Sequence, residues 1–393
     1  MRTRIFSFLF CCLVSISPAK SQTVSTILSN GDPANRIDIA FLSEGYTSSE
    51  SAKFTSDVNT FINAIFNSGE IYVDYKTYFN VRTLFVASAE SGATHQELTP
   101  PVIKNTAFDA YYGCEGIARL ICVDTTKVNA AVSSALPANQ RDYVFVLVND
   151  STYGGSGGSV LVSSTNSQAV ETILHEFGHT HGLLADEYTT NPPPCDLAEP
   201  SAANATTQTA RDQIKWELWI GASTPIPTTT ATPGVPGLYE GADYCATGMY
   251  RPTFNSKMRT LGKPYEQVND EQMVRRLYNL VSALDSTTPL GTSLSAPQGT
   301  KPSFSVTPLQ PVQHSLSVSW YVDGLLVASG TSFVLETSTL SLASHSVKAV
   351  VQDNTNWVRS DPNNLTMDSQ TWTVLITPGI TSPKKRLVQV TSD

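Results

Sequence analysis

The stretch Thr172 to Tyr188, TILHEFGHTHGLLADEY, leaves this chain few ways to fold. It contains His175-Glu176-Phe177-Gly178-His179, an H-E-x-x-H pattern. On an α-helix, residues four apart stack on one face. His175 and His179 therefore point the same way and can hold one Zn²⁺ between them. Glu176 sits one residue on, where its carboxylate reaches a water at the metal without ligating it, the position of a general base.

A catalytic zinc site takes three protein ligands and leaves a fourth position open. Gly182 is expected to stop the helix in the left-handed conformation that glycine tolerates, so that the chain can turn back under the metal. In the metzincin pattern, H-E-x-x-H-x-x-G-x-x-H/D, the third ligand falls three residues past that glycine. Here that position is Ala185, which cannot ligate, so Asp186 is the choice and Glu187 the reserve. His181 lies two residues past His179, roughly opposite on a helix, and reads as a supporting or surface histidine rather than a ligand.

The first residues, MRTRIFSFLFCCLVSISPAKS, have the layout of a secretory leader: Arg2 and Arg4, an apolar run from Ile5 to Ile16, and a small-x-small site at Ala19-Lys20-Ser21. The run is too short to span a bilayer, and Phe8-Leu9-Phe10 lacks the small residues of a lipoprotein anchor. Residues 1–21 are thus expected to be removed and the remainder exported. Losing Arg2, Arg4 and Lys20 takes the net charge from −9 to −12, which argues against a nucleic-acid partner. Of six cysteines, Cys11 and Cys12 leave with the leader. The other four suggest two disulfides in an oxidising compartment. The favoured pairing is Cys114–Cys122, a short loop, and Cys195–Cys245, clamping the segment after the metal site.

Residues 36–42 alternate as a strand, 49–66 space Phe54, Val58, Phe61, Ile62 and Ile65 as a helix, and 79–87 read as a second strand. A helix over 123–136 and a fully buried strand over 143–148 follow. The glycine-rich bend 153–159 and Val160-Leu161-Val162 suit an exposed edge strand to which a substrate could add. Residues 189–240, rich in Pro, Thr, Ala and Ser, read as irregular structure. Beyond a turn at 248–252, Met258 is the candidate for a methionine floor under the metal, with Met249 the alternative. A helix over 266–284 closes this part of the chain. From Ser303 short alternating strands, with Trp320-Tyr321-Val322-Asp323-Gly324 as strand and turn, predict an immunoglobulin- or PKD-like sandwich. His314 and His345 are expected to be single histidines on its strands. The division expected is leader 1–21, peptidase domain 22–285, sandwich 286–378 and polar tail 379–393.

The segments NRIDIAFLSEGYTSSE, YFNVRTLFVASAESGA, YGCEGIARL, HEFGHTHGLLADEY, and YRPTFNSKMR with PYEQVNDE occur in one order over roughly residues 30–284. In them the chain resembles the IgA-peptidase-type zinc metalloendopeptidases, a metzincin-like family of secreted bacterial enzymes. The resemblance implies zinc on His175, His179 and Asp186, with Glu176 as base. It also implies an α/β fold, a mixed twisted sheet with the active-site helix beneath an edge strand, here followed by the small all-β sandwich. Metzincins of other families often place an oxyanion-stabilising tyrosine two residues past the floor methionine. Thr260 stands there in this chain, so Tyr250 is the candidate, with Tyr265 and Tyr188 as alternatives. The function expected is zinc-dependent hydrolysis of peptide bonds in extracellular proteins, by a zinc-activated water with Glu176 as base. Such an enzyme, truncated near Asp285, should still cleave small peptides. The competing class is a secreted binding or adhesion protein with a structural or vestigial zinc site.

Overall fold

The computed structural model describes residues 22–67, 71–190 and 195–379. The leader and all but the first residue of the polar tail lie outside the described residues. A six-stranded sheet organises the first part. Its elements in chain order are β1 (Gln22–Leu28), β2 (Ile37–Glu44), α1 (Ser51–Asn67), β3 (Phe79–Val86), α2 (Thr125–Ala135), β4 (Tyr143–Val148), β5 (Gly155–Ser156), β6 (Leu161–Ser163) and α3 (Ala169–Thr180). The spatial order is β1-β3-β2-β4-β6-β5, with the four inner strands parallel and the two outer ones antiparallel.

The central strands are apolar on both faces, as a covered parallel sheet requires. Ile39, Phe41, Phe145 and Leu147 face α1 and α3, while Ala40, Leu42, Val144 and Val146 face α2. The helix α1 meets the first face with Phe54, Val58, Phe61, Ile62 and Ile65, the positions its 3.6-residue period predicts. Strand β1 closes the far edge, paired antiparallel with β3.

At the opposite edge the expectation needs correcting. The edge strand is not Val160-Leu161-Val162, which is buried, but the glycine bend itself, Gly155–Ser156. Its outer side is partly taken, since the Gly155 N–H donates to Arg119 O at 3.2 Å and the Ser156 hydroxyl donates to Ile121 O at 2.7 Å. The exposed wall is the next stretch, Gly157–Ser159. The loop that covers β5 is closed by the Cys114–Cys122 disulfide; Cys195–Cys245 is the second.

Residues 248–252 are also not a turn. They end a hairpin of β7 (Tyr239–Ala242) and β8 (Cys245–Arg251). Helix α4 (Gln267–Leu280) follows. Three further strands (Leu284–Thr288, Ser303–Pro308, Ser332–Val334) and five more (Ser293–Pro297, Met367–Thr377, Ser344–Gln352, Ser317–Val322, Leu325–Ser329) form two facing sheets. Between them Trp320 and Trp372 stack at 5.8 Å beside Phe304.

The chain does not part near Asp285 as it would at a linker, because one cluster of buried apolar residues runs from Ile37 to Ile376. A polar seam reinforces it. Asp353 accepts from the hydroxyls of Tyr75 and Tyr278, each at 2.7 Å, and its other oxygen meets His314 Nε2 at 2.7 Å. His314 Nδ1 lies 2.8 Å from Asp74. His314 thus sits in a loop bridging the two parts rather than on a strand. His345 is on a strand and pairs with Asp323 at 2.6 Å.

Candidate metal centre and its cleft

Helix α3 buries Ile173, Leu174 and Phe177 and turns His175, Glu176 and His179 toward a cleft of about 720 Å³. His175 Nδ1 lies 3.0 Å from Lys257 O, and His179 Nδ1 lies 2.8 Å from Leu184 O. A carbonyl only accepts, so both Nδ1 atoms are donors and both Nε2 atoms present lone pairs to the cleft.

Those two Nε2 atoms are 3.2 Å apart, and Asp186 Oδ1 lies 3.1 and 3.2 Å from them. Among the described residues these three are the group able to hold a metal ion. Asp186 Oδ1 is buried and has no hydrogen-bond partner. Three acceptors converging on one point repel unless a cation sits among them. A tetrahedral zinc with bonds of about 2.0–2.1 Å sets its ligand atoms about 3.3 Å apart, close to the triangle present. The residues fit a zinc ion. Burial works against ionisation of Asp186, but the adjacent His175 and His179 rings and the hydrogen bond from Tyr244 hold its carboxyl well below the usual range. Burial likewise opposes protonation of His179, and Asp186 more than offsets it.

The turn that delivers Asp186 differs from the expectation in one detail. Leu183, not Gly182, adopts the left-handed conformation, at φ 55°. Gly182 is needed for space: a Cβ there would lie 2.4 Å from Met273 Sδ and 2.6 Å from Gly178 O. The next carboxylate, Glu187, points the other way. Neighbouring residues of an extended segment face opposite sides, and Glu187 is fully buried, accepting from Asn204, Asn269 and Ser256 at 3.0, 2.8 and 2.7 Å. Burial pushes its carboxyl up. With its N–H donating to Met258 O at 2.8 Å, Glu187 ties Asp186 to the segment beneath the helix.

Met258 is fully buried there, and a Cβ on Gly178 would lie 2.5 Å from its Sδ. Met249 is on β8 among Ala205, Ala242 and Cys245, away from α3. His181 is fully buried between Tyr143 OH (2.9 Å) and Met273 O (3.2 Å), and burial lowers its pKa to about 3, so it is a neutral core histidine. Glu176 lines the cleft beside Gly157, where a Cβ would lie 2.2 Å from Glu176 Oε2.

The tyrosine expectation is corrected. Tyr250 does not line the cleft: its strand bonds to Thr206, and its ring packs against the cluster of Ile214, Trp216 and Trp219. Tyr265 is buried with its hydroxyl on Leu174 O. The tyrosines that line the cleft are Tyr153, Tyr188 and Tyr244. Tyr244 was not singled out from sequence. It lies 58 positions beyond Asp186, and the only signal was its place beside Cys245, whose partner was proposed as Cys195.

Known proteins add the following. No curated protein matches the chain. Among solved structures, fibronectin(III)-like modules of Clostridium thermocellum CbhA align at 10% identity over 24% of this chain and 98% of their own, with a TM-score of 0.19, a likeness too slight to carry an argument. The family model described as IgA Peptidase M64 matches residues 26–232, spanning the sheet, the H-E-x-x-H helix and Asp186. The chain belongs to the M64 family of IgA peptidases, which are metallopeptidases.

Proposed function

We propose that the protein is an exported zinc endopeptidase that hydrolyses peptide bonds of extracellular proteins, with zinc held by His175, His179 and Asp186 and Glu176 as the general base. The observation that carries this reading is the triangle of two Nε2 atoms and Oδ1, 3.1–3.2 Å on a side, with the Glu176 carboxylate beside it in an open cleft. When bound, zinc supplies Lewis acidity, lowering the pKa of water and polarising a carbonyl. The residues supply the rest. The Lys257 and Leu184 carbonyls fix the histidine tautomers, and Met258 floors the helix. Glu176 accepts a proton from the attacking water, the scissile C–N bond breaks, and Glu176 returns the proton to the departing amine nitrogen. A polypeptide laid along Gly157 and Gly158 brings its carbonyl beside Glu176, with Tyr153 of the same cleft as the tyrosine for the charge that develops on its oxygen.

Export is supported by the leader-like first 21 residues and by two disulfides. No helix among the described residues is long and apolar enough to cross a membrane. The test is cleavage of casein by the zinc-replete protein and by Glu176→Gln. Loss of turnover with zinc still bound is expected; retained turnover in the variant would contradict the role of Glu176.

A further inference from the structure

Asp186 is gripped by the turn of the β7–β8 hairpin. That turn consists of Asp243 and Tyr244, both in the left-handed region at φ 46° and 65°. Two-residue hairpins that need positive φ at both positions usually take asparagine, aspartate or glycine; a bulky tyrosine held there is strained. Strain of this kind persists where the surroundings fix it, and it clusters at functional sites.

What fixes the turn is the segment carrying Asp186. The Asp243 N–H donates to Asp186 O at 2.8 Å, the Tyr244 N–H to Tyr188 O at 3.1 Å, and the Thr190 N–H to Tyr244 O at 3.2 Å. The next residue, Cys245, is covalently bound to Cys195. This posture aims the Tyr244 hydroxyl at Asp186 Oδ2, to which it donates at 2.5 Å. The two oxygens of one buried carboxylate are therefore unlike. Oδ2 has its hydrogen bond, while Oδ1 has none and faces the two Nε2 atoms.

We propose that Tyr244 is the positioning residue of the metal centre: its hydroxyl engages Oδ2, so that Asp186 offers the metal Oδ1 alone. Without it the carboxylate can rotate to present both oxygens, and the ligand becomes both less well aimed and capable of filling the position that water needs. Partners that orient a metal ligand typically alter metal affinity 10- to 100-fold when removed. The inference rests on the zinc-peptidase reading of the triad.

The test is the zinc dissociation constant of the full chain and of Tyr244→Phe, measured by competition with a chromogenic chelator. The variant deletes one oxygen and keeps the ring against Tyr188, 5.4 Å between centroids. A Kd weakened 10- to 100-fold is expected, together with a cobalt(II) absorption spectrum shifted from that of the wild type. A Kd within twofold of wild type and an unchanged cobalt spectrum would overturn the role of Tyr244 and leave the zinc reading standing. Wild type that binds no zinc would overturn both. A second measurement needs no variant: a crystal structure of the zinc-loaded wild type must keep Oδ2 on Tyr244 and off the metal. Both carboxylate oxygens on zinc would refute the proposal.

Discussion

Asp353→Ala probes the seam between the sandwich and the peptidase fold. The Asp353 carboxylate is almost fully buried and meets three groups at 2.7 Å, the hydroxyls of Tyr75 and Tyr278 and the ring of His314. After the substitution Tyr278 keeps a bond to Tyr78 and the Tyr75 hydroxyl keeps Thr355, while the His314 ring loses the carboxylate at its Nε2. A hydrogen bond to a charged group contributes about 1.5–3 kcal/mol, and a buried polar group left without its partner costs about 1–3 kcal/mol. The three bonds share one acceptor and are not additive, which sets the loss at roughly 4–6 kcal/mol, in the tail reserved for broken buried networks. With about 2.1 cal/mol/K per residue of unfolding entropy over roughly 350 residues, that lowers the melting temperature by about 5–8 °C. Differential scanning calorimetry reads it, with Glu336→Ala as control: this exposed carboxylate pairs with Lys301 at 2.6 Å, and an exposed pair contributes roughly 0–1 kcal/mol. A single transition shifted by that amount is expected. A shift under about 2 °C, or a peptidase transition that stays in place while a separate one moves, would refute the shared-core argument. By the same reasoning truncation near Asp285, which the sequence suggests would leave an active enzyme, should instead give a chain that neither folds nor cleaves.

Other consequences are equally concrete. Gly157→Ala should displace the Glu176 carboxylate, whose Oε2 would lie 2.2 Å from the new Cβ; a displacement of about 1 Å in a catalytic group costs on the order of 10²-fold in rate. Zinc content and melting temperature should not change, and activity within tenfold of wild type would refute the contact. Leu183→Gly should stabilise the protein by about 0.5–1 kcal/mol, because Leu183 is half-exposed and left-handed, where an L side chain costs about 1–2 kcal/mol; a lower denaturation midpoint would contradict this. His95 lies between Glu97 (2.6 Å) and Asp150 (3.0 Å); burial works against its charge, but the two carboxylates raise its pKa above the usual value. Its stabilisation is therefore full below about pH 6.5 and lost as pH rises through the raised value. The melting-temperature advantage over His95→Gln should shrink from pH 6 to pH 8.5, and a constant difference would exclude charge as the cause.

Much of the fold was legible because its signals are local. The period of Phe54, Val58, Phe61, Ile62 and Ile65, and the unbroken apolar run 143–148, each specify an element without reference to the rest of the chain. The hairpin 239–251 gave no such signal. Gly248 to Pro252 read as a turn, and strand pairing with a disulfide and the Asp186 segment overrides that reading. The metal-binding half of the site was equally local in His175 and His179. The choice between Asp186 and Glu187 was not, since adjacent carboxylates differ only in which side of the chain they face. That side is set by Leu183 ending the helix and by Asn204, Ser256 and Asn269 drawing Glu187 inward from far along the sequence. The tyrosines are hidden for the same reason: with Thr260 two residues past Met258, nothing local separates Tyr250, Tyr265 and Tyr188, and the hairpin register turns Tyr250 away and brings Tyr244 in.

The proposed chemistry depends on one metal held by one triad. Elemental analysis of wild type and Asp186→Ala after dialysis against metal-free buffer tests it most directly. One zinc per chain in the wild type, and a large loss in the variant, is the result expected from the geometry of Oδ1 and the two Nε2 atoms. No zinc in the wild type, or undiminished zinc without the Asp186 carboxylate, would contradict it.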